Sequence, residues 1–215
     1  MFEYLEFFGL ACIPAFMALD LVYRKRHYLT PRHWRLYGFA VTVAIIGATM
    51  MVGEFWGATL SDYSLFDGRE LGIAGGAAVG ILAYELLHYS YHRLAHEWTP
   101  LWRLGHQMHH SAEALDAFGA NYLHPIDAAL FTTWTIVTFF PLLGLQPEAA
   151  VLAGAFLGFN VMFQHANIAT PRWVGYFIQR PESHCIHHAQ GVHRFNYADL
   201  PVIDMIFGTF RNGEN

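Results

Sequence analysis

The chain has 215 residues, of which 54% are hydrophobic and 13% are charged, whereas an ordinary soluble domain carries roughly 25% charged residues. These values exclude intrinsic disorder and predict that much of the surface faces lipid. The net charge of −5 argues against a nucleic-acid partner, which normally needs a basic patch. The 14 histidines outnumber the 12 lysines and arginines. Because ionisable groups are costly at membrane depth, so many imidazoles in an apolar chain point to function.

Two apolar segments flank a basic loop at the start of the chain. Tyr4–Tyr23 is predicted to be a first transmembrane helix with a kink at Pro14, and Leu36–Trp56 a second. Each is close to the 20 or so residues that cross a bilayer core. The loop between them, Arg24–Arg35, holds five of the 12 cations.

A third predicted span, Leu71–Tyr84, follows an acidic loop at Glu54–Glu70 and continues into the first histidines. It carries several small residues of the kind that allow close helix packing in a bilayer: Gly72, Gly75, Gly76 and Gly80.

The second half of the chain contains two further apolar stretches. Ala128–Gln146, interrupted by Pro141, and Ala149–Gln164 are predicted to form a transmembrane helical hairpin. The sequence therefore predicts one all-α integral membrane domain, 1–215, with four to five transmembrane helices and a cytosolic helical cap that carries the histidines.

The positive-inside rule orients these spans. If the loop at Arg24–Arg35 is cytoplasmic, only Arg69 among the 12 cations falls on the outer side. Every histidine then lies at or near the cytoplasmic side.

Nine histidines occur in short clusters with spacings that place side chains on one face of a helix. The clusters are His92 and His96; His106, His109 and His110; His165; and His184, His187 and His188. Each cluster is predicted to point at one site. Since neutral imidazole is the commonest protein metal ligand and nine exceed the needs of one ion, the pattern favours two metals. A set without cysteine pairs suits iron or zinc.

The motifs around these histidines resemble the fatty acid hydroxylase/sterol desaturase superfamily, and the resemblance covers about 85–210. The matching stretches are HRLAHE (92–97), HQMHHS (106–111), NYLHP (121–125), QHANI (164–168), HCIHH (184–188) and NYADLPVIDMIFGTF (196–210).

The resemblance implies an integral-membrane, non-haem di-iron oxygenase whose metal site faces the cytoplasm. It implies two iron ions, with zinc as an alternative occupant in a purified sample, and O2 as co-substrate. The substrate would be a lipid or sterol-like molecule from the bilayer, hydroxylated or, alternatively, desaturated. No HPGG segment typical of a fused cytochrome b5 is present, so a separate electron donor such as cytochrome b5 or a ferredoxin is expected.

The resemblance also assigns residues. The nine clustered histidines match the family's metal ligands. Glu85 and Glu97 are candidate catalytic carboxylates, which with Asp204 could orient imidazoles through their second N–H. Additional ligands or supporting residues are expected among His88, His124, His193 and Asp204.

The chain departs from the family pattern at two positions. Glu85 occupies a position where aspartate is common, and Val161 stands where some hydroxylases have another histidine. One ligand is therefore missing relative to those members, and His88 or His124 could replace it.

An alternative from another class is a haem-binding membrane cytochrome. Such a protein needs only about two histidines per haem, which leaves the two HxxHH clusters unexplained. A zinc hydrolase would carry HExxH, which the sequence lacks.

Overall fold

The computed structural model describes residues 2–60, 63–192 and 194–214, and within these residues the protein is all-helical, as predicted. The α-helices in chain order are α1 Phe2–Val22, α2 Trp34–Leu60, α3 Gly72–Glu97, α4 Thr99–Leu101, α5 Gln107–His110, α6 Pro125–Val137, α7 Pro147–His165, α8 Pro181–His187 and α9 Pro201–Ile206. Two π-helical turns, Trp102–His106 and Thr138–Leu142, join α4 to α5 and extend α6.

Three helical stretches in the described residues are long and apolar enough to cross a bilayer: Trp34–Leu60, Gly68–Glu97 and Pro125–Leu142. Large apolar side chains such as Met50, Met51 and Phe55 are exposed along α2, as expected for a lipid-facing helix. The total of four to five spans stays a prediction. The third span and the first histidine cluster belong to one continuous helix, α3, so the span leads directly into the site.

Helix α7 packs against both α1 and α3, and α2 packs against α6. Two of the four predicted packing glycines make the α3 contact possible. A Cβ on Gly76 would lie 3.0 Å from the Ala149 Cβ, and one on Gly80 would lie 2.8 Å from Leu145. A Cβ on Gly72 would meet open space, and one on Gly75 would meet only Leu71 of its own segment. The close approach therefore depends on the Gly76–Gly80 face.

The two segments of the predicted transmembrane hairpin are the helices α6 and α7, but α6 packs chiefly on α2, whereas α7 packs on α1 and α3. Helix α7 is not among the three stretches of the described residues that are long and apolar enough to cross a bilayer. Pro141 lies in the π-helical turn that follows α6, as expected where a proline removes a backbone donor. Gly144 then reverses the chain at φ +59°, a conformation that glycine adopts without steric cost.

Short helices α4 and α9 lie against α3, and α8 lies against α7. Helix α5 follows the π-helical turn Trp102–His106, which also contacts α3. A small apolar core holds the C-terminal part in place, with Tyr197, Ala198 and Ile203 packed on Tyr89 of α3. All the histidine motifs meet where these short helices cover the long ones.

Candidate metal centre

The structure brings all nine clustered histidines together, in two groups. We call them the five-histidine cluster and the four-histidine cluster, and within each the potential ligand atoms lie within 4.8 Å of one another. The five-histidine cluster consists of His92, His96, His106, His110 and His187. The four-histidine cluster consists of His109, His165, His184 and His188.

The sequence predicted that the histidines of each HxxHH motif point at one site. Instead, the histidines of each motif divide between the two clusters. In the motif at 106–110, His106 and His110 belong to the five-histidine cluster, whereas His109 belongs to the four-histidine cluster. In the motif at 184–188, His184 and His188 belong to the four-histidine cluster, whereas His187 belongs to the five-histidine cluster. At 3.6 residues per turn, positions i+3 and i+4 differ by about 100° around the helix axis. Each HxxHH motif therefore contributes histidines to both clusters.

In the five-histidine cluster, three imidazoles donate a hydrogen bond from Nδ1 to a carbonyl or carboxylate oxygen. His92 Nδ1 lies 2.7 Å from the Tyr197 carbonyl, His106 Nδ1 lies 2.8 Å from an Asp127 carboxylate oxygen, and His187 Nδ1 lies 2.8 Å from the Phe195 carbonyl. An Nδ1–H donor leaves the Nε2 lone pair available for a metal, which is the usual arrangement of metal-bound histidine.

In the four-histidine cluster, the Nε2 atoms converge. His165 Nε2 lies 3.2 Å from His109 Nε2 and 3.1 Å from His184 Nε2, and His184 Nε2 lies 3.1 Å from His188 Nε2. His165 Nδ1 donates to the Val161 carbonyl at 2.8 Å, one helical turn earlier.

These distances fit metal ligation. Two nitrogens bound to one ion at about 2.1 Å lie roughly 3.0–3.4 Å apart for bond angles between square and tetrahedral. The observed Nε2–Nε2 separations, 3.0 Å between His92 and His106 and 3.1–3.2 Å in the four-histidine cluster, match this spacing. The donor set fits a transition metal that accepts imidazole, such as iron or zinc.

Burial, together with the neighbouring imidazoles, lowers the pKa of several cluster histidines well below the ordinary value: His109, His110, His184 and His188. They are therefore neutral at physiological pH, and only neutral imidazole has a lone pair to give to a metal.

Asp127, which sequence reasoning missed, supports the five-histidine cluster directly. It is fully buried in the first turn of α6. Besides His106, it accepts a hydrogen bond from the Tyr91 hydroxyl at 2.5 Å. The sequence did contain a signal for this role, because Asp127 is a lone acidic residue at the start of an apolar helix, just after His124-Pro125. A carboxylate buried by such a helix requires hydrogen-bonding partners.

The loop that supplies two of the orienting carbonyls is fixed by Asp204 and Asn196. The Asp204 carboxylate accepts from the backbone amides of Tyr197 and Ala198, both at 2.9 Å. Asn196 and Phe195 adopt positive φ of 54° and 72°, which is strained for a bulky residue such as phenylalanine. Asp204 thus acts on His92 through the backbone, rather than as the direct imidazole partner that the sequence suggested.

Glu85 and His88 lie beside the clusters, not in them. The Glu85 carboxylate accepts from the amides of Asp199 and Leu200, at 2.9 and 3.1 Å, and His88 stacks on His92. With Asp199 they form a separate buried group whose potential ligand atoms also lie within 4.8 Å of one another.

The remaining predicted site residues lie elsewhere. The Glu97 side chain is 56% exposed and pairs with Arg93 at 2.8 Å. His124 caps α6 by accepting from the Ile126 amide, so neither it nor His88 supplies the missing ligand within the two clusters. His193 lies outside the described residues. The roles of these residues in the reaction stay predictions.

A cavity of about 450 Å³ adjoins both clusters and extends between α2, α3, α6 and α7. Imidazoles of both clusters form part of its wall, and Ile45 and Thr49 of α2 line it within a membrane-spanning helix. The other lining residues are largely apolar and include Phe131, Ile136, Leu157 and Val161. Its size falls in the range of ordinary ligand pockets.

Comparison with known proteins finds relatives that are named as lipid hydroxylases and monooxygenases. The chain is 32% identical over 136 residues to the alkylglycerol monooxygenase of Homo sapiens, covering 60% of the chain and 29% of that protein. It is 29% identical over 157 residues to an ornithine lipid hydroxylase of Rhizobium tropici, covering 71% of the chain and 47% of that protein. A sphinganine C4-monooxygenase of Arabidopsis thaliana is 24% identical over 134 residues, covering 60% of the chain and 52% of that protein.

The chain thus spans about a third to a half of the length of these curated relatives. No solved structure matches the chain significantly. The profile of the fatty acid hydroxylase family matches residues 77–209, which contain all nine clustered histidines. The chain belongs to the fatty acid hydroxylase family.

Proposed function

We propose that this protein is a membrane-bound, O2-dependent lipid hydroxylase that holds one iron ion in each histidine cluster. The observation that carries the proposal is the contact between two largely buried sets of imidazoles and one apolar cavity. Iron bound there would supply O2 activation and oxidation of an unactivated C–H bond. The relatives named as monooxygenases and hydroxylases of lipids support the same reaction class.

The chain's own residues position the ligands and exclude water. Asp127 and the carbonyls of Tyr197 and Phe195 fix the orientation of His106, His92 and His187. Because these partners are buried, the imidazoles are pre-oriented before a metal or substrate binds, which is how surrounding hydrogen bonds tune a metal site.

The cavity orients the substrate. A hydrocarbon chain that extends towards Ile45 and Thr49 would lie among apolar residues, with a C–H bond near the cavity-facing histidines of both clusters. Removing such a chain from water is favourable by about 0.8 kcal/mol per CH2 group, although a substrate that enters from the bilayer gains less. This geometry favours a lipid with a long alkyl chain.

The site is proposed to face the cytoplasm, since the positive-inside rule places the basic loop and the histidine-bearing helices on that side. Electrons would come from a separate cytochrome b5 or ferredoxin.

Metal analysis combined with product analysis tests the proposal. The full chain, purified and loaded with Fe(II), is expected to hold about two irons per chain and, with O2 and an electron donor, to form a hydroxylated lipid. A His109→Ala/His187→Ala double variant removes one ligand from each cluster and is expected to lose activity by at least about 100-fold, since metal ligands act as a unit. His27→Ala, an exposed histidine outside both clusters, is the matched control.

Three results would contradict the proposal. A Soret band in the purified protein would instead indicate a haem cytochrome. Full activity in the double variant would exclude the two clusters as the reaction centre. A desaturated product with no alcohol would identify a desaturase on the same scaffold.

A further inference from the structure

A second cavity, separate from the one at the metal centre, lies against the basic loop between α1 and α2. Its volume is about 320 Å³. We call it the basic pocket, and its polar lining includes Arg24, Arg26, Tyr28, Thr30, Arg35 and Asn167. The loop residues 24–35 lie outside the stretch that matches the fatty acid hydroxylase family.

The charge of the basic pocket is positive. Among the described residues, neither Arg24 nor Arg35 forms an ion pair, whereas Arg26 lies 3.5 Å from Glu182. The one carboxylate in the lining, Asp116, already accepts hydrogen bonds from the Trp34 indole and from two backbone amides. Arg24 Nε donates to the Asp20 carbonyl at 3.2 Å, and the Arg35 guanidinium lies over the Phe118 ring, 5.8 Å from its centroid. Because a guanidinium has five N–H donors, each keeps donors for an anionic ligand.

The loop is held in a fixed conformation by Asn167. The Asn167 carbonyl accepts from the Lys25 amide at 2.9 Å, and its side chain makes two hydrogen bonds with the Arg26 backbone, both at 2.8 Å. The Asn167 amide in turn donates to buried Asp20. A cavity built on a fixed backbone binds a ligand with a smaller loss of conformational entropy.

The position of the basic pocket favours a headgroup-sized ligand. Trp34, which lines the pocket, is also the first residue of a membrane-spanning stretch. The pocket therefore lies at the level where that helix leaves the hydrocarbon core. A concave site of this volume encloses a small group, whereas a protein partner would normally need a larger and flatter surface. Arginine is the residue best suited to phosphate because its planar guanidinium can donate two parallel hydrogen bonds.

We propose that the basic pocket binds a phosphate group, with Arg24 and Arg35 as its principal ligands. The phosphate belongs either to the headgroup of an anionic phospholipid or to free phosphate. Because Asn167 is two residues from His165 of the four-histidine cluster, the bound phosphate is fixed relative to the metal centre.

Binding measurements on the purified full chain in a neutral detergent test this proposal. The probes are dioleoylphosphatidylglycerol in mixed micelles, dioleoylphosphatidylcholine as the zwitterionic lipid, and inorganic phosphate alone. An Arg24→Gln/Arg35→Gln variant is expected to weaken binding of the anionic probe by at least about tenfold, because two charge-assisted hydrogen bonds are lost. The matched control is Lys25→Gln/Arg32→Gln, which removes the same charge from exposed residues of the same loop that do not line the pocket.

The lipid and phosphate probes distinguish a phospholipid headgroup from free phosphate as the source of the bound group. Variant-sensitive binding of phosphatidylglycerol that inorganic phosphate does not displace identifies a lipid headgroup, and variant-sensitive binding of inorganic phosphate identifies the free ion. Arg24→Lys/Arg35→Lys keeps the charge but loses the paired guanidinium hydrogen bonds. Its affinity is expected to lie between those of the wild type and the glutamine variant, which separates loss of binding from misfolding.

Equal losses in the two glutamine variants would overturn the proposal, because the general charge of the loop would then explain binding. So would the absence of binding by any anionic probe. Unchanged lipid and phosphate binding, combined with slower electron transfer from a reduced ferredoxin in the pocket variant, would instead identify a protein-docking surface.

Discussion

The two histidine clusters are built from the same sequence motifs, yet they differ in ligand number and in what orients the ligands. The five-histidine cluster is supported by the Asp127 carboxylate and by two carbonyls of the 195–197 loop. In the four-histidine cluster, the His165 Nδ1 bonds to a carbonyl of its own helix, that of Val161. The comparison shows that the helix face a histidine occupies, rather than the motif that contains it, decides which cluster it joins.

Position 161 lies beside the cluster that has fewer imidazoles, since the Val161 carbonyl accepts from His165 Nδ1. Some hydroxylases resembling this chain have a histidine there, whereas Val161 is apolar and lines the cavity. If each cluster holds one metal ion, as proposed, the four-histidine cluster leaves its ion an open coordination position beside an apolar part of the cavity wall. Catalytic metal sites commonly keep such an open position, whereas structural sites are closed.

The largest expected effect is a loss of bound iron when one histidine is removed from a cluster. Two matched variants, one for each cluster, compare this loss. His110 and His188 each end an HxxHH motif, are half-buried, and stack on each other at 4.1 Å between ring centroids. His188→Ala leaves three imidazoles in its cluster and is expected to reduce iron from about two to about one per chain, because three ligands hold an ion less firmly than four. His110→Ala leaves four and is expected to retain nearly two irons.

Iron content after dialysis, measured by atomic emission, checks this difference. His27→Ala again controls for the loss of an imidazole outside the site. If both variants lose the same amount of iron, the two clusters bind metal as one unit and the comparison between them fails.

Sequence reasoning identified the nine histidines that the structure brings together, because their spacing and their position next to apolar spans are local properties. It did not predict how they divide, since that depends on where α5 and α8 lie relative to α3, and on the π-helical turn at Trp102–His106. Such a turn rotates the following residues relative to an α-helix.

The partners of the histidines were also harder to predict than the histidines. The carbonyls of Tyr197 and Phe195 have no sequence signature, because every residue has a carbonyl. Glu97 follows a histidine motif directly, yet its side chain is exposed, whereas Asp127 is distant in sequence and contacts His106. The helices themselves followed from apolar run lengths, including α3, whose span continues into the histidine segment as predicted.

The second expected effect concerns the orienting carboxylate of the five-histidine cluster. Asp127→Asn keeps the size of the side chain but replaces a charged acceptor of the His106 Nδ1–H with a neutral amide. Metal affinity is expected to fall by about 10- to 100-fold, the usual effect of losing such a partner. The four-histidine cluster, whose His165 is oriented by a backbone carbonyl, is expected to keep its iron.

Competition with a chelator during stopped-flow absorbance measurements resolves the two irons by their release rates. Glu97→Gln makes the same carboxylate-to-amide change on the exposed surface and is expected to leave both rates within about twofold. Wild-type release rates in Asp127→Asn would show that the carboxylate does not orient a metal ligand.

The smallest expected effect is a gain of metal affinity from restoring the missing histidine. Val161→His places an imidazole one helical turn before His165, on the same face of α7. Iron release from the four-histidine cluster to a chelator is expected to slow by about tenfold, since each added ligand contributes to affinity. Val161→Phe fills the same part of the cavity without a ligand atom, so equal release rates in the two variants would place position 161 out of reach of the metal. Val161→His could instead release iron more slowly than Val161→Phe and also lose more activity. This result would mean that the reaction uses the vacant ligand position. The four-histidine cluster would then be incomplete because its metal must bind something other than protein.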